Sequence, residues 1–329
     1  MFAPSLGIDV SKKTLDLCLL REGVKGRVKN RKLKNDFNAV GTVVSWLRKQ
    51  HCEPGDAHII MEATGVYHES LAYGLHDAGA KVSLANPHRS REFARGMDIL
   101  TKNDKVDAYM LACYGALKEP EPWEPPPENV RYLSALLRRH DALVTDSSRE
   151  KNRLEKCRAT DTPAAVAESI ENVLRNLSAE LQRLETLIQG YLDQHPELKK
   201  DFDLLTSIKS VGFQLGLNML VILRSHRFDT AEQAAAKVLR HLGQSRLSKI
   251  GPPEIRAKLY LASLCGLRFN PAMKAMYERL CQRGKAKMCA IGALMRKLVH
   301  WCYGVLHTQQ PFDTEYRSSD AHSVCKAAC

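Results

Sequence analysis

The 329-residue sequence lacks the long apolar runs that would place it in a membrane. No apolar stretch approaches the roughly 20 residues that a membrane-spanning helix needs. Residues 1–6 also lack the charged and apolar regions of a signal peptide. We therefore expect no membrane association and a cytoplasmic protein.

Cysteines are present, but not in a pattern that would crosslink a small fold or bind zinc. The ten cysteines lie far apart in a chain that is long enough to form a core without disulfides. Cys325 and Cys329 lie close together, but no second pair of ligands follows at zinc-site spacing. We expect reduced thiols and no zinc.

Positive charge is in excess. The 49 Lys and Arg residues outnumber the 37 Asp and Glu residues, which gives a net charge of +12. Such a field attracts polyanions and indicates a nucleic-acid partner, without separating DNA from RNA. A basic surface that meets only solvent is the alternative.

The first third of the chain has the pattern of an α/β domain. Residues 6–10, Leu-Gly-Ile-Asp-Val, predict a short buried strand, and Leu15, Leu17 and Leu19 alternate as the apolar face of a second strand, so an antiparallel pair is expected. A helix, a strand, a helix and a strand are predicted next, at residues 39–49, 58–61, 66–78 and 81–85. The order predicts a mixed sheet covered by helices, in a domain of residues 1–117.

A proline-rich segment marks the clearest boundary. Residues 118–128 hold five prolines, so the segment can form neither a helix nor a central strand, and we expect an extended spacer. It opens a second region, residues 118–200, in which apolar residues recur at steps of four and three. They are Ile170, Leu174, Leu177, Leu181, Leu184, Ile188 and Tyr191. This spacing predicts a helical hairpin or coiled coil, packed within the chain or against a second copy.

Residues 201–329 are predicted to be helical throughout and to form a mainly α C-terminal domain. Asp229 and Glu232 predict the start of a helix that runs to about residue 242. Further helices are predicted to begin near residues 253 and 271 and after Gly284.

Four acidic residues lie where a metal site would need them. Asp9 ends the first strand and Glu62 a later one, while Asp104 and Asp107 have a spacing that places both on one helix face. Two-metal phosphodiester chemistry needs carboxylates from several elements, and Mg²⁺ prefers such oxygen ligands. We therefore predict catalytic carboxylates that bind Mg²⁺ or Mn²⁺. Each acid alone has a structural alternative, such as capping a turn or a helix.

The motifs around these acids resemble a known family. They are Gly-Ile-Asp-Val-Ser-Lys from Gly7, Met-Glu-Ala-Thr-Gly-Val-Tyr from Met61, Asn86-Pro87, and Asn-Asp-Lys-Val-Asp-Ala from Asn103. Together they resemble the DEDD-type insertion-sequence transposases of the one-ten family, relatives of the Piv and MooV recombinases. Asn270-Pro271, Gly284-Lys285 and Pro311-Phe312 resemble that family's last helices.

The resemblance implies a ribonuclease-H-type, Ruv-resolvase-like first domain in which Asp9, Glu62, Asp104 and Asp107 are the metal carboxylates. It also implies a DNA transposase or site-specific recombinase that breaks and rejoins strands. The partners that it implies are DNA, a structured guide RNA and further copies of the chain, as a dimer or tetramer.

The chain departs from the family where a nucleophilic serine is expected. Ser245 and Ser248 remain, but residues that usually precede them are missing. Ser245 is either a nucleophile or a structural residue that contacts phosphate or caps a helix, and we leave it out of the predicted site. Two alternatives follow: a metal-dependent nuclease for branched DNA, and a catalytically impaired nucleic-acid-binding remnant.

A second departure lies in a predicted phosphate-binding turn. Lys209 and Ser210 replace the first two residues of a Pro-Gly-Ile-Gly turn, whose backbone amides would point at a phosphate. Basic residues of the last helices either contact nucleic-acid phosphates or face solvent. They are Arg279, Arg283, Lys285, Lys287, Arg296 and Lys297.

Overall fold

The computed structural model describes residues 3–63, 65–97, 103–239, 241–242, 246–247 and 253–313 of the chain. It divides into two compact units, Met1–Pro125 and Pro126–Cys329. Each unit has its own buried core.

The first unit is built on a five-stranded mixed sheet. Its strands are β1 (Ser5–Val10), β2 (Thr14–Leu20), β3 (Val28–Lys34), β4 (His58–Glu62) and β5 (Lys81–Ala85), in the order β3-β2-β1-β4-β5. β2 runs antiparallel to both β1 and β3, whereas β1, β4 and β5 are parallel. The predicted antiparallel start and mixed sheet are confirmed.

Helices cover both faces of this sheet. The helices are α1 (Ala39–Lys49), α2 (Glu69–Asp77), α3 (Pro87–Gly96) and α4 (Asp104–Lys118). On one face, Leu6 and Ile8 of β1 share a core with Val43 of α1 and Leu71 of α2. On the other face, Ser5 Oγ donates a hydrogen bond to the Ala112 carbonyl of α4 at 2.7 Å. Because side chains alternate along a strand, Gly7 and Asp9 lie on the α4 face as well.

The proline-rich segment packs on the first unit. Residues 119–127 form neither helix nor strand, as their prolines predict. The Trp123 amide donates to the Val82 carbonyl of β5 at 2.7 Å, and the Trp123 ring lies 5.1 Å from that of Tyr73. The segment therefore lies along the β5 edge, where a simple spacer was expected.

The second unit begins with two long helices, α5 (Glu128–Arg158) and α6 (Ala164–Gln194), which pack antiparallel as a hairpin. Leu133, Leu137, Leu184 and Ile188 are buried at its base. Residues 144–183, all of them described, include no fully buried side chain. The predicted hairpin is present, and its assembly into a coiled coil stays a prediction.

The rest of the second unit is mainly helical. Its helices are α7 (Pro196–Thr206), α8 (Phe213–Ser225), α9 (Ala231–Val238), α10 (Pro253–Phe269), α11 (Pro271–Gln282) and α12 (Lys287–Thr308). Two short strands, β6 (His241–Leu242) and β7 (Arg246–Leu247), pair antiparallel, so the prediction of helices only is wrong here. Among the described helices, none is long and apolar enough to cross a membrane.

The start of α9 also differs from the prediction. Thr230 Oγ1 accepts the Gln233 amide at 3.2 Å, and Gln233 Oε1 accepts the Asp229 amide at 2.8 Å. Thr230 therefore caps the helix, in place of Asp229 with Glu232, because its hydroxyl reaches the third residue of the first turn.

Candidate metal centre

The ends of two neighbouring strands bring Asp9 and Glu62 to the same edge of the sheet. Ile8 of β1 pairs with Met61 of β4 in parallel register, and Asp9 and Glu62 are the next residues of each strand. Both side chains are half-buried. By alternation from Gly7 and Ile60, both lie on the face that α4 covers.

Close packing of α4 on the sheet places the start of this helix over that edge. A Cβ atom on Gly7 would lie 2.0 Å from the Ala108 carbonyl oxygen, and one on Gly115 would lie 2.4 Å from Ser5 Oγ. Ser5 therefore lies beside the end of α4 and Gly7 beside its middle. Asp9, two residues further along β1, lies towards the first turn.

That first turn carries the other two predicted ligands, Asp104 and Asp107. The helix cap is Asn103, whose Oδ1 accepts the Val106 amide at 2.9 Å. Capping by Asp104, the structural alternative to a metal role, is therefore excluded. The Asp104 side chain is 63% exposed, whereas Asp107 is half-buried.

The electrostatics of Asp9 show that the acidic side chains share one region. Burial is the largest cause that raises the pKa of Asp9 to about 6. The other causes are repulsions from four carboxylates, in decreasing order those of Asp107, Asp104, Asp16 and Glu62. An acid whose charge is opposed by burial and by its neighbours is stabilised by a cation, so the donor set fits a hard divalent metal.

The carboxylates of this region are not arranged around one common metal position. Within the described part of the chain, no three Asp, Glu, His or Cys side chains are arranged to hold a metal ion. Individual carboxylates have hydrogen-bond or ion-pair partners of their own. Ser90 of α3, for example, is buried and donates through Oγ to Glu62 Oε2 at 3.1 Å.

Two residues of this region, Asp16 and Lys32, were missed by the sequence analysis. Asp16 of β2 is the register partner of Asp9 and is only 4% exposed. Lys32 Nζ of β3 lies 3.0 Å from Asp16 Oδ2 and 3.3 Å from Asp104 Oδ2. Hydrogen bonds to Asp16 and then to Asp104 raise the pKa of Lys32. The register of the β1–β2 hairpin, which pairs Asp16 with Asp9, is the sequence feature from which Asp16 could have been predicted.

The second unit contains the other predicted features. The predicted turn joins α7 to α8, and Ser210 adopts φ +103°, a backbone conformation that favours glycine. Asn270 Nδ2 donates to the Lys209 carbonyl at 3.0 Å and supports this turn. Of the six basic residues of the last helices, Arg296 is half-buried and the others are exposed. Ser245 and Ser248 lie outside the described residues.

Comparisons with known proteins found a matching family model and similar curated proteins. A family model for the DEDD-type IS110 group, described as "Transposase", matches residues 6–157. Two curated relatives are the pilin gene-inverting proteins of Moraxella lacunata and Moraxella bovis. Each is 29% identical over 320 residues, which is 94% of this chain and 97% of the relative. The chain is thus similar to the DEDD-type IS110 transposases over residues 6–157 and to the pilin gene-inverting proteins over most of its length. This similarity supports an enzymatic role in rearranging DNA.

Solved structures give only a weak likeness. Thermus thermophilus RuvC bound to a Holliday junction substrate is 16% identical, with 36% of this chain and 98% of that chain covered and a TM-score of 0.27. A second RuvC structure from this organism is 17% identical, with 36% and 99% covered and the same TM-score of 0.27.

Proposed function

We propose that the chain is a DNA transposase or site-specific recombinase that breaks and rejoins DNA strands with Mg²⁺ or Mn²⁺. The ligands are the carboxylates at one sheet edge: Asp9, Glu62, Asp104 and Asp107. The observation that carries the proposal is the position of these family-motif acids at one sheet edge, where burial, and after it repulsion from the neighbouring carboxylates, raises the pKa of Asp9 to about 6.

Each ligand has a distinct part in this proposal. Bound metal would polarise the scissile phosphate and favour the ionised form of the attacking oxygen. Ionised Asp9, which is half-buried, would hold the metal, and Ser90 orients Glu62 through its 3.1 Å hydrogen bond. Asp104 and Asp107 would hold the metal from the start of α4, and the close packing at Gly7 fixes the position of this helix on β1.

Nucleic-acid binding is proposed to use the basic residues of both units. The net charge of +12 attracts the DNA backbone. In the second unit, the turn at Lys209 and Ser210 and the exposed Arg283, Lys285 and Lys287 would bind phosphates of DNA or of a guide RNA.

Assembly into a dimer or tetramer is proposed to use the hairpin. Ile170, Leu174, Leu177 and Leu181 on α6 form an apolar stripe that is only half-buried within one chain. A second copy packed on the stripe would remove this apolar surface from water.

The decisive experiment is strand cleavage of the element's own DNA ends with Mg²⁺ or Mn²⁺, with and without the element's RNA. We expect Asp9→Asn and Asp107→Asn to lower cleavage by at least about 100-fold, since each removes a ligand of the reacting centre. Asp77→Asn on α2, whose acid is 80% exposed, is the matched control. Cleavage that survives the combined Asp9 and Asp107 substitutions would refute the metal site.

The same reaction separates the alternatives. A covalent protein–DNA adduct lost in Ser245→Ala identifies the nucleophile, whereas free ends without an adduct identify a nuclease. Salt-sensitive binding without cleavage under any metal identifies a binding remnant.

A further inference from the structure

Lys32 lies in a row of charged residues that crosses the sheet beside the proposed metal ligands. In the strand registers, Lys32 of β3 is the partner of Asp16, and Asp16 of β2 is the partner of Asp9. Directly opposed residues of neighbouring strands lie on the same face and close enough to interact. The ammonium group reaches beyond the row to Asp104 Oδ2 of α4, at 3.3 Å.

The two contacts of Lys32 differ in strength. The Asp16 side chain is 6% exposed and lies 3.0 Å from the ammonium. Lys32 is 52% exposed, but Asp16 is buried, so loss of the ammonium would leave the Asp16 carboxylate without this opposite charge, and the contact persists. The Asp104 side chain is 63% exposed, and exposed pairs contribute little. The Asp104 contact is therefore the one that can exchange.

We propose that Lys32 is an exchangeable counter-ion of the carboxylate cluster. Asp16 anchors it, it holds Asp104 while no metal is bound, and a divalent cation displaces it from Asp104. This inference rests on the proposed function. Lys32 is thus a positioning residue that acts through Asp104.

The affinity for Mn²⁺ in the absence of DNA, measured by calorimetry or by electron-spin-resonance titration, tests the inference. Lys32→Met removes the competing ammonium, so we expect Mn²⁺ to bind about threefold to fivefold more tightly, the range that an exposed ion pair gives. Lys29→Met removes the same charge from the opposite face of β3 and should leave the affinity unchanged. Weaker or unchanged Mn²⁺ binding by folded Lys32→Met would overturn the inference.

A measurement on the unaltered protein covers the case in which Lys32→Met does not fold. Lysine acetylation, read by mass spectrometry, should be slow at Lys32 without metal and should accelerate severalfold with Mn²⁺, while Lys29 keeps its rate. No acceleration at Lys32 contradicts the exchange.

Asp9→Asn separates this inference from the proposed function. If Asp9→Asn loses Mn²⁺ binding but Lys32→Met matches the unaltered protein, only the exchange is wrong. If Asp9→Asn binds Mn²⁺ as the unaltered protein does, the metal site fails and the inference with it.

Discussion

Three asparagines of the family motifs, Asn86, Asn103 and Asn270, cap the N-termini of helices. Asn86 Oδ1 accepts the His88 amide at 2.9 Å, and Asn103 Oδ1 accepts that of Val106 at the same distance. Asn270 caps α11 and also donates to the Lys209 carbonyl. The motifs therefore combine chemical groups with caps that set where each helix begins, and each cap contributes about 1 kcal/mol.

At the residue scale, Asp9 opposes the stability of the metal-free protein. Its pKa rises from 3.8 to about 6 on folding, so the native state binds more protons and stability falls as pH rises through this window. We expect Asp9→Asn to raise the free energy of unfolding by roughly 1 kcal/mol at pH 7. This value is smaller than the full pKa shift would give, because the side chain is only half-buried. Near pH 4 we expect no increase in the free energy of unfolding. Urea unfolding without metal at both pH values measures this, and equal gains would contradict it.

Ser210 provides a second residue-scale prediction. At its φ of +103° a residue with a Cβ atom is strained relative to glycine, and this strain costs about 1 kcal/mol. Ser210→Gly should raise the free energy of unfolding by about that amount. Ser210→Ala keeps the Cβ and should give no gain, so stabilisation by both variants would show that the hydroxyl, and not the backbone, matters.

At the element scale, the close packing of α4 on β1 depends on Gly7. A methyl group there would meet the Ala108 carbonyl at 2.0 Å, so Gly7→Ala must push the helix away and should cost about 3 kcal/mol. A methyl group on Gly41 of α1 would meet no neighbouring atom within 4 Å, and Gly41→Ala should stabilise by about 0.5–1 kcal/mol. Thermal unfolding of both variants checks the pair. A Gly7→Ala protein as stable as the parent would contradict the close packing.

The elements of the first unit were largely predictable from sequence. Helix α1 and strand β5 have the expected bounds because their apolar spacing is clear. Asp16 was missed for a physical reason: the Leu15, Leu17 and Leu19 alternation assigns it to a polar face. α4 covers that face, so Cys18 and Leu20 are buried beside it. Lys32 was missed because its contacts depend on strand register and on where α4 begins.

At the scale of the whole molecule, the prediction concerns assembly. Leu174→Glu with Leu177→Glu places charge on the half-buried stripe of α6 and should lower the oligomer mass seen by light scattering. Asn172→Glu with Asn176→Glu adds the same charge on exposed positions and should not. Unchanged assembly in both double variants would exclude this stripe as the contact between copies.

The central claim is that the four carboxylates hold the metal that acts on DNA. The most direct measurement is anomalous scattering from crystals of the protein grown with Mn²⁺. We predict a peak at coordinating distance, about 2 Å, from Asp9 and from at least two of Glu62, Asp104 and Asp107. Two results would contradict the account: a manganese peak only at another place in the protein, or manganese-containing crystals in which no manganese lies at the Asp9 carboxylate.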